Sequence, residues 1–441
     1  MAKSLFEAYK NRLAVANTVY SKAHNGETMS NHKKLVTAKV LENTNRMLNE
    51  SFSNSVGTQQ ADMGMYKKFC LNLTTVALPN LIAHDLVIVQ PMSSMSGYIT
   101  YIEYQYGSNK GATKQGDLIS NFKGFGKVDA DYTGSRVVET INAEGGLTFA
   151  WDTAVEGTVE VEVKNPETNK MEWVTVPADK LVLDDKKRVT GIAAGYMAEG
   201  TRVRYIYDNV VIPQNDLPMV KAEIKNIALV AKARRIAVYY SQMAAFQAKT
   251  DYGVDLGDQL AEKAVGELSY EIDTEIIDLL DEIAGEAKPE LVFDKTLPVG
   301  VSKRDHYAGF AEVVETAKQI IYDATQKFAP NWMVCSSSVL PVLSMIDSYK
   351  AAATGAVNGP YMAGTFGSLK VFVSPRMPKG KYLIGVNGGD MMSAAAVYAP
   401  YMAVVPTQLL QYADGGNSQG FSTLYALEKL NESLVIAGEV K

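Results

Sequence analysis

At 441 residues, with 47% apolar and 21% charged side chains, the chain has the composition of a folded protein large enough for two or three domains. A net charge of −6 argues against nucleic-acid binding as the main task, and no stretch approaches the ~20 uninterrupted apolar residues of a membrane span. The opening MAKSLFEAYKNRLAVANTVY lacks a secretory apolar segment and cleavage site, and two cysteines, Cys70 and Cys335, fit a reducing compartment without a disulfide framework, so a soluble intracellular protein is expected.

Residues 1–62 are polar and helix-leaning. Leu35, Val36, Val40, Leu41, Met47 and Leu48 make one weak stripe, so an arm that is mobile or packed on a partner is expected. Residues 63–97 predict an amphipathic helix over 63–77, ended by Pro79, then a helix end running into a buried strand over 81–92. Residues 98–212 change character: Tyr, Val and Thr dominate between Gly-rich turns. Residues 158–163 and 172–176 alternate around the turn at 165–169, which reads as a hairpin. More strands are predicted at 188–192 and 202–206. This excursion is too long for a loop and predicts an extended arm carrying a small β module with little core of its own.

Residues 213–255 predict one long helix. The run 217–250 has no proline after Pro218 and no glycine; Asp216 supplies an N-cap and Gly253 a stop. At ~1.5 Å per residue it would span roughly 50 Å. Val220, Ile224, Ile227 and Ala231 form one stripe, and Ile236, Tyr239, Met243 and Phe246 a second, rotated roughly a third of a turn. Such a helix reads as a strut between two substructures, so Ile227→Asp or Met243→Asp is expected to cause misfolding at core-type costs of roughly 2–5 kcal/mol. The charge then inverts from this basic run to an acidic one over 251–290, where Leu260, Ala264, Leu268, Ile272, Ile276 and Leu280 mark one or two acidic helices able to pair with it.

The remainder of 256–400 and the closing 401–441 are mixed α/β. A helix over 305–328, a strand at 332–335 and a helix capped by Ser336 or Ser337 come first. A loop over 355–367 and strands at 369–374, 381–386, 394–405 (broken by Pro400), 421–427 and 433–436 follow.

Recognisable chemistry is scarce. His24, His32, His84 and His306 have no ligand spacing, and the cysteines make no CxxC, so no metal site is expected. Gly359-Pro360-Tyr361-Met362-Ala363-Gly364 has phosphate-loop spacing but is followed by Thr365-Phe366, and reads as a surface loop. Asn387-Gly388-Gly389-Asp390 reads as a turn, and Cys335 beside Ser336 as a buried structural cysteine with no base placed for it. No catalytic, cofactor-binding or metal residue is assigned, and no enzyme is expected.

Four ordered segments carry a resemblance: Leu78-Pro79-Asn80-Leu81-Ile82-Ala83-His84-Asp85-Leu86-Val87 through Gln90-Pro91-Met92; Lys232-Ala233-Arg234-Arg235 through Tyr252-Gly253-Val254-Asp255-Leu256 and Glu271-Ile272-Asp273; Asn331-Trp332-Met333-Val334; and Tyr398-Ala399-Pro400-Tyr401. In this order they resemble the major capsid proteins of large contractile-tailed (myovirus-type) bacteriophages, built on the α+β Hong Kong 97-type fold. The resemblance implies an N-terminal arm (1–62), a peripheral-domain helix and strand (63–97), an extended β loop (98–212), a spine helix (213–255), an axial domain (256–400) and closing strands returning to the periphery (401–441). It implies a self-assembling head subunit, made in the bacterial cytoplasm and placed in the virion capsid. Hexameric capsomers, and pentameric ones as a second form, would enclose double-stranded DNA without sequence-specific binding. Vertex, portal, scaffold and decoration proteins are implied as further partners, with no membrane and no cofactor. An encapsulin-like nanocompartment shell is the alternative. Maturation cutting after Glu50 or Glu7 has matching triplets, Leu48-Asn49-Glu50 and Leu5-Phe6-Glu7, but an uncut chain is expected. No isopeptide cross-link is expected from Lys110, Lys114, Lys123 or Lys127.

Overall fold

The computed structural model describes every residue except 1, 24–25, 54–59, 112, 122–123, 126–131, 150–152, 156, 166–169, 186, 208–217, 326, 353–358 and 408. The chain divides into two compact units: Met1–Ile99 with Asn226–Lys441, and Thr100–Lys225.

Helices α1 (Ala2–Ala8), α2 (Lys10–Ala23) and α3 (Asn31–Ser53) precede α4 (Gln60–Ala77), α5 (Ala83–Leu86) and the short strand β1 (Ile88–Val89). The expectation of a mobile or partner-bound arm is overturned here. Val36 and Val40 of α3 are fully buried and belong to the main core. Polar contacts add to this apolar packing: His32 Nε2 lies 3.0 Å from Val89 O. Asn43 Nδ2 donates to Met92 O at 2.7 Å and to Tyr401 O at 3.1 Å, and Arg46 donates to Ser93 O at 2.7 Å. Through these donors α3 covers carbonyls of the edge strand β1, of the segment that follows it and of Tyr401 on the neighbouring strand.

The chain then enters the second unit through β2 (Ser96–Tyr106). In order come β3 (Leu118–Asn121), β4 (Gly124–Phe125), β5 (Arg136–Thr140), β6 (Leu147–Thr148), β7 (Glu160–Lys164), β8 (Met171–Thr175), β9 (Leu181–Leu183), β10 (Val189–Ile192), β11 (Arg202–Ile206) and the returning β12 (Val220–Val230). They form sheets in the orders β5-β11-β7-β8, β6-β10-β9 and β12-β2-β3-β4. The predicted hairpin is β7–β8, in register from Glu160 with Thr175 to Lys164 with Met171; its turn at 166–169 lies outside the described residues. Contrary to expectation the module has its own core of Val137, Ile141, Val159, Val161, Val203 and Tyr205, because alternation on β5, β7 and β11 turns one face of each inward. Tyr205 OH donates to the buried Glu139 at 2.7 Å.

The predicted helix over 217–250 is not one helix. After β12, residues Lys232–Ser241 form β13, and only Gln242–Tyr252 is helical, as α6. Within the two strands the stripe residues Val220, Ile224, Ile227, Ile236 and Tyr239 are β-branched or aromatic, which favours strand. On β13 the true period is two: Ile236 and Val238 pack inward while Ala233, Arg235, Ala237 and Tyr239 face out. Helix α6 starts at Ser241, whose Oγ accepts from Ala244 N, and ends at Gly253 with φ 68°.

The long helix is instead the acidic one, α7 (Leu256–Ala284), with 29 residues and a length of about 43 Å. Asp255 caps it by accepting from Gly257 N and Asp258 N, and the predicted stripe from Ala264 to Leu280 is its buried face. The anticipated pairing of basic and acidic segments is strand to helix. Arg234 of β13 donates Nη1 to Glu271 at 2.9 Å and Nη2 to Glu275 at 2.7 Å, two carboxylates one turn apart on α7.

Then follow β14 (Val292–Phe293), α8 (Lys303–Ala308), α9 (Phe310–Thr325), β15 (Trp332–Ser336), α10 (Leu340–Leu343), β16 (Tyr349–Ala351), β17 (Tyr361–Phe366), β18 (Leu369–Ser374), β19 (Lys381–Gly385), β20 (Ala396–Pro406), β21 (Leu410–Gln411), β22 (Gly416–Lys429) and β23 (Val435–Val440). A seven-stranded sheet runs β14-β23-β19-β15-β18-β17-β16, and another runs β1-β20-β22-β13 with β21 on β22. Half of the predicted loop at 355–367 is therefore strand β17, and residues 353–358 lie outside the described ones. Pro400 does not end β20; the ladder shifts register beside it. Of the two predicted closing strands, β22 joins the sheet of β20 while β23 pairs with β19 and β14. Gly385 has no side chain because the Trp332 ring fills the place of its Cβ.

Two substitutions test this packing. Arg234→Ala should lower unfolding free energy by roughly 1–2 kcal/mol, the range of a partly exposed, two-carboxylate clamp. Arg234→Lys should recover only part, because an ammonium cannot fork to both carboxylates; equal urea midpoints for all three proteins would dismiss the clamp.

Asp273 of α7 is buried, and its Oδ1 accepts from Ile82 N at 3.1 Å. Burial pushes its carboxyl well above the usual range, against the smaller opposing effect of that N–H. A folded-state pKa raised in this way gives stability that is complete below about pH 3.9 and declines as pH rises through the folded value. Asp273→Asn keeps an acceptor oxygen and should flatten that decline, raising stability at neutral pH in urea titrations at several pH values. Identical slopes for both proteins would assign the decline to another group.

Candidate assembly surface

The residues with chemical potential are absorbed into structure. His84 is buried, His306 Nε2 lies 2.8 Å from Asp294 O, and His24 lies outside the described residues. Both cysteines are buried, and burial pushes the Cys335 thiol up to about 12, so it holds no thiolate near neutrality. Ser336 and Ser338 accept from Gly380 N at 3.1 and 2.8 Å, which pins the chain after β15. Asn387 Nδ2 donates to Asp85 O and Val87 O, so the Asn387–Asp390 turn is a clasp between segments. Among the described residues no three His, Cys, Asp or Glu stand close enough to hold a metal, and no helix is long and apolar enough to cross a membrane.

Lys110 is buried, with Nζ donating to Tyr132 O and Gly134 O. Lys114 is exposed, and Lys123 and Lys127 lie outside the described residues. The triplets Leu5-Phe6-Glu7 and Leu48-Asn49-Glu50 both lie in helices, α1 and α3. Helical backbone must unwind locally before a protease can grip it.

A cleft of about 370 Å³ opens between Lys33, Asp85, Asn331, Trp332, Lys370 and Asn387. Its charges cancel: Lys33 sits 3.2 Å from Asp85, and Lys370 3.6 Å from Asp85 and 2.8 Å from Glu27. Burial alone would lower the Lys370 ammonium's pKa, but Asp85 and Glu27 outweigh it and hold it raised. Two cations against two carboxylates leave nothing to recruit a charged ligand.

The informative surface is apolar. Along β2, Tyr98 and Ile102 are exposed, and along β12, Val220, Ile224 and Val230, with Ile224 68% accessible. β13 is an edge strand of its sheet. α6 has no buried residue at all, and Met243 and Phe246, expected in a core, are 69% and 68% exposed. The expected misfolding of Met243→Asp therefore has no basis. Tyr239, Leu410 and Tyr412 add to the exposed apolar residues of the larger unit, with the two tyrosine rings 6.4 Å apart. Patches of this kind mark sites where another molecule binds. The signal was present in the sequence: Ser241 and Gly253 bracket a short helix whose inward positions, Ala245 and Ala248, are small.

Residues 63–437 match the family described as Major capsid protein Gp23. The major capsid protein of Escherichia phage AR1 is 25% identical over 411 residues, 83% of this chain and 74% of that one. That of Enterobacteria phage T4 is 25% identical over 414 residues, with the same 83% and 74% coverage. That of Vibrio phage KVP40 is 25% identical over 394 residues, 80% of this chain and 74% of its own. Among solved structures, the capsid of Myoviridae phage XM1 aligns over 53% of this chain and 81% of its own, at 8% identity and a TM-score of 0.34. The capsid of cyanophage P-SCSP1u aligns over 53% and 80%, at 10% identity and a TM-score of 0.36. The family match runs from α4 into β23, through every sheet described above, and on it this α+β chain belongs to the Gp23 family of major capsid proteins.

Proposed function

We propose that this chain is the shell-forming subunit of a bacteriophage head, packed into homo-oligomeric capsomers that close around double-stranded DNA. The observation that carries the reading is the apolar surface along β2, β12 and α6, which a lone subunit leaves bare, in a chain of a major capsid family. Its place is the virion capsid, and its work is self-assembly rather than catalysis. Identical chains close into rings through heterologous contacts, in which one surface of a subunit meets a different surface of the next. The Thr100–Lys225 unit is the arm that reaches over a neighbour, supported by the exposure of β12 at most of its positions and of β2 at alternate ones. The sheet of β13, β20 and β22 serves as the peripheral part of the capsomer and the seven-stranded sheet as its axial part, in hexamers and pentamers. The net charge of −6 fits DNA that is enclosed without sequence-specific contacts. Vertex, portal, scaffold and decoration proteins are the further partners of such a shell.

Purified protein viewed by negative-stain microscopy should show closed angular shells. Small uniform cages would indicate a nanocompartment instead, and discrete oligomers alone would refute shell formation. Gly107 N donates to Met219 O at 2.6 Å at the arm's root, so a short Gly/Ser bridge can replace residues 108–218. That variant should keep a cooperative thermal transition but form no shells; shells like those of the full chain would rule out a bridging arm.

A further inference from the structure

Helix α6 is held by little within its own subunit. Ser241 and Gly253 fix its ends, and only the small Ala245 and Ala248 turn inward, half-buried. At about 100° per residue, the opposite face carries Met243, Phe246, Gln247 and Thr250. A helix this short is marginal by itself. With small residues inward and large apolar ones outward, its better packing face awaits a partner.

Two charges say how that partner arrives. Lys249 and Asp251 stand on opposite flanks of the outward face, about 160° apart around the axis. Both are exposed, and neither makes an ion pair among the described residues. An antiparallel two-fold pairing of two such helices would set Lys249 against Lys249 and Asp251 against Asp251. Copies related by rotation about an axis parallel to the helix set the Lys249 flank of one against the Asp251 flank of the next.

We propose that the α6 face is a contact between copies of this chain, arranged cyclically about an axis along α6. Met243 and Phe246 face that axis, and Lys249 and Asp251 of successive copies pair at each joint. The proposal rests on the shell-forming reading and deepens it by naming one contact and its symmetry. Tyr239 and Leu410, beside α6, widen the apolar area.

The test compares shell yield by sedimentation, and the thermal midpoint of the unassembled subunit, for Phe246→Asp, Lys249→Asp, Asp251→Lys and the double swap Lys249→Asp/Asp251→Lys. Phe246→Asp should cut shell yield at least about tenfold while leaving the midpoint unchanged, since the side chain lies outside its own core. Each single charge reversal should reduce yield, more strongly at low salt, and the double swap should restore it. Single reversals that assemble like the original chain, or a double swap no better than either single, would overturn the cyclic contact. A lowered midpoint for Phe246→Asp would overturn it too, by placing that residue in the subunit's own packing. An original chain that never forms shells would sink the shell-forming reading, whatever the variants do.

Discussion

The fold of the larger unit depends on one rod, α7, being buried against different neighbours at its two ends. Its first half packs Ala261, Ala264, Val265 and Leu268 against Val404, Phe421, Ile236 and Val238 of the sheet that contains β13. Its second half sends Ile272, Ile276, Ile277 and Leu280 into the main core, with Leu78, Leu86, Tyr398 and Leu383. The side-chain sizes follow the geometry. Alanines at 261 and 264 let a sheet lie close to the helix, and the larger residues later on fill a wider gap between elements. Arg234 and Asp273 stand near the changeover and tie the rod to β13 and to the segment before α5. Fully burying an aliphatic side chain contributes roughly 1.5–3 kcal/mol, so this single helix supplies much of what makes the two sheets one body.

A strut between substructures was legible in the sequence, but it was assigned to the wrong stretch. Residues 220–246 offer apolar side chains at spacings of three and four, which satisfy a helix and, at the even spacings, a strand as well. The contest is settled by tertiary contact: Ile236 and Val238 find α7, while Tyr239, on the other face of β13, finds solvent. The acidic run was read correctly because its apolar positions from Ala264 to Leu280 sit among strong helix formers, Ala, Glu and Leu, with no proline between them. β15 was legible for the opposite reason, since a strand buried on both faces shows as an unbroken apolar run.

The docking of the N-terminal helices was illegible because a weak apolar stripe does not say what it packs on, and here Val36 and Val40 enter the subunit's own core. Asn43, His32 and Arg46 satisfy backbone carbonyls, and a polar side chain carries no sign in the sequence of whether its partner is water or a strand edge. The β module was underestimated for a related reason. Several of its strands, β7 and β11 among them, were legible, but each adds only alternate residues to the core, which becomes visible only when β5, β7 and β11 are set side by side.

The assembly surface was hidden by the same ambiguity that moved the strut. A large apolar residue on a periodic segment serves equally well for a core or for a contact between subunits, and pattern alone assigns it to the core. Exposure separates the two, and it places Ile224, Met243 and Phe246 outside. Their distribution matters as much as their presence. One large apolar patch would drive indiscriminate aggregation of free subunits, whereas separate modest areas, such as those on β2 and β12 and on α6, suit the individually weak contacts of the proposed assembly. Weak contacts break and re-form until the geometry closes, and in a closed shell every subunit makes all of them at once. The bare surface of the isolated chain is therefore the form that a subunit needs if it is to stay soluble alone and become stable only in number.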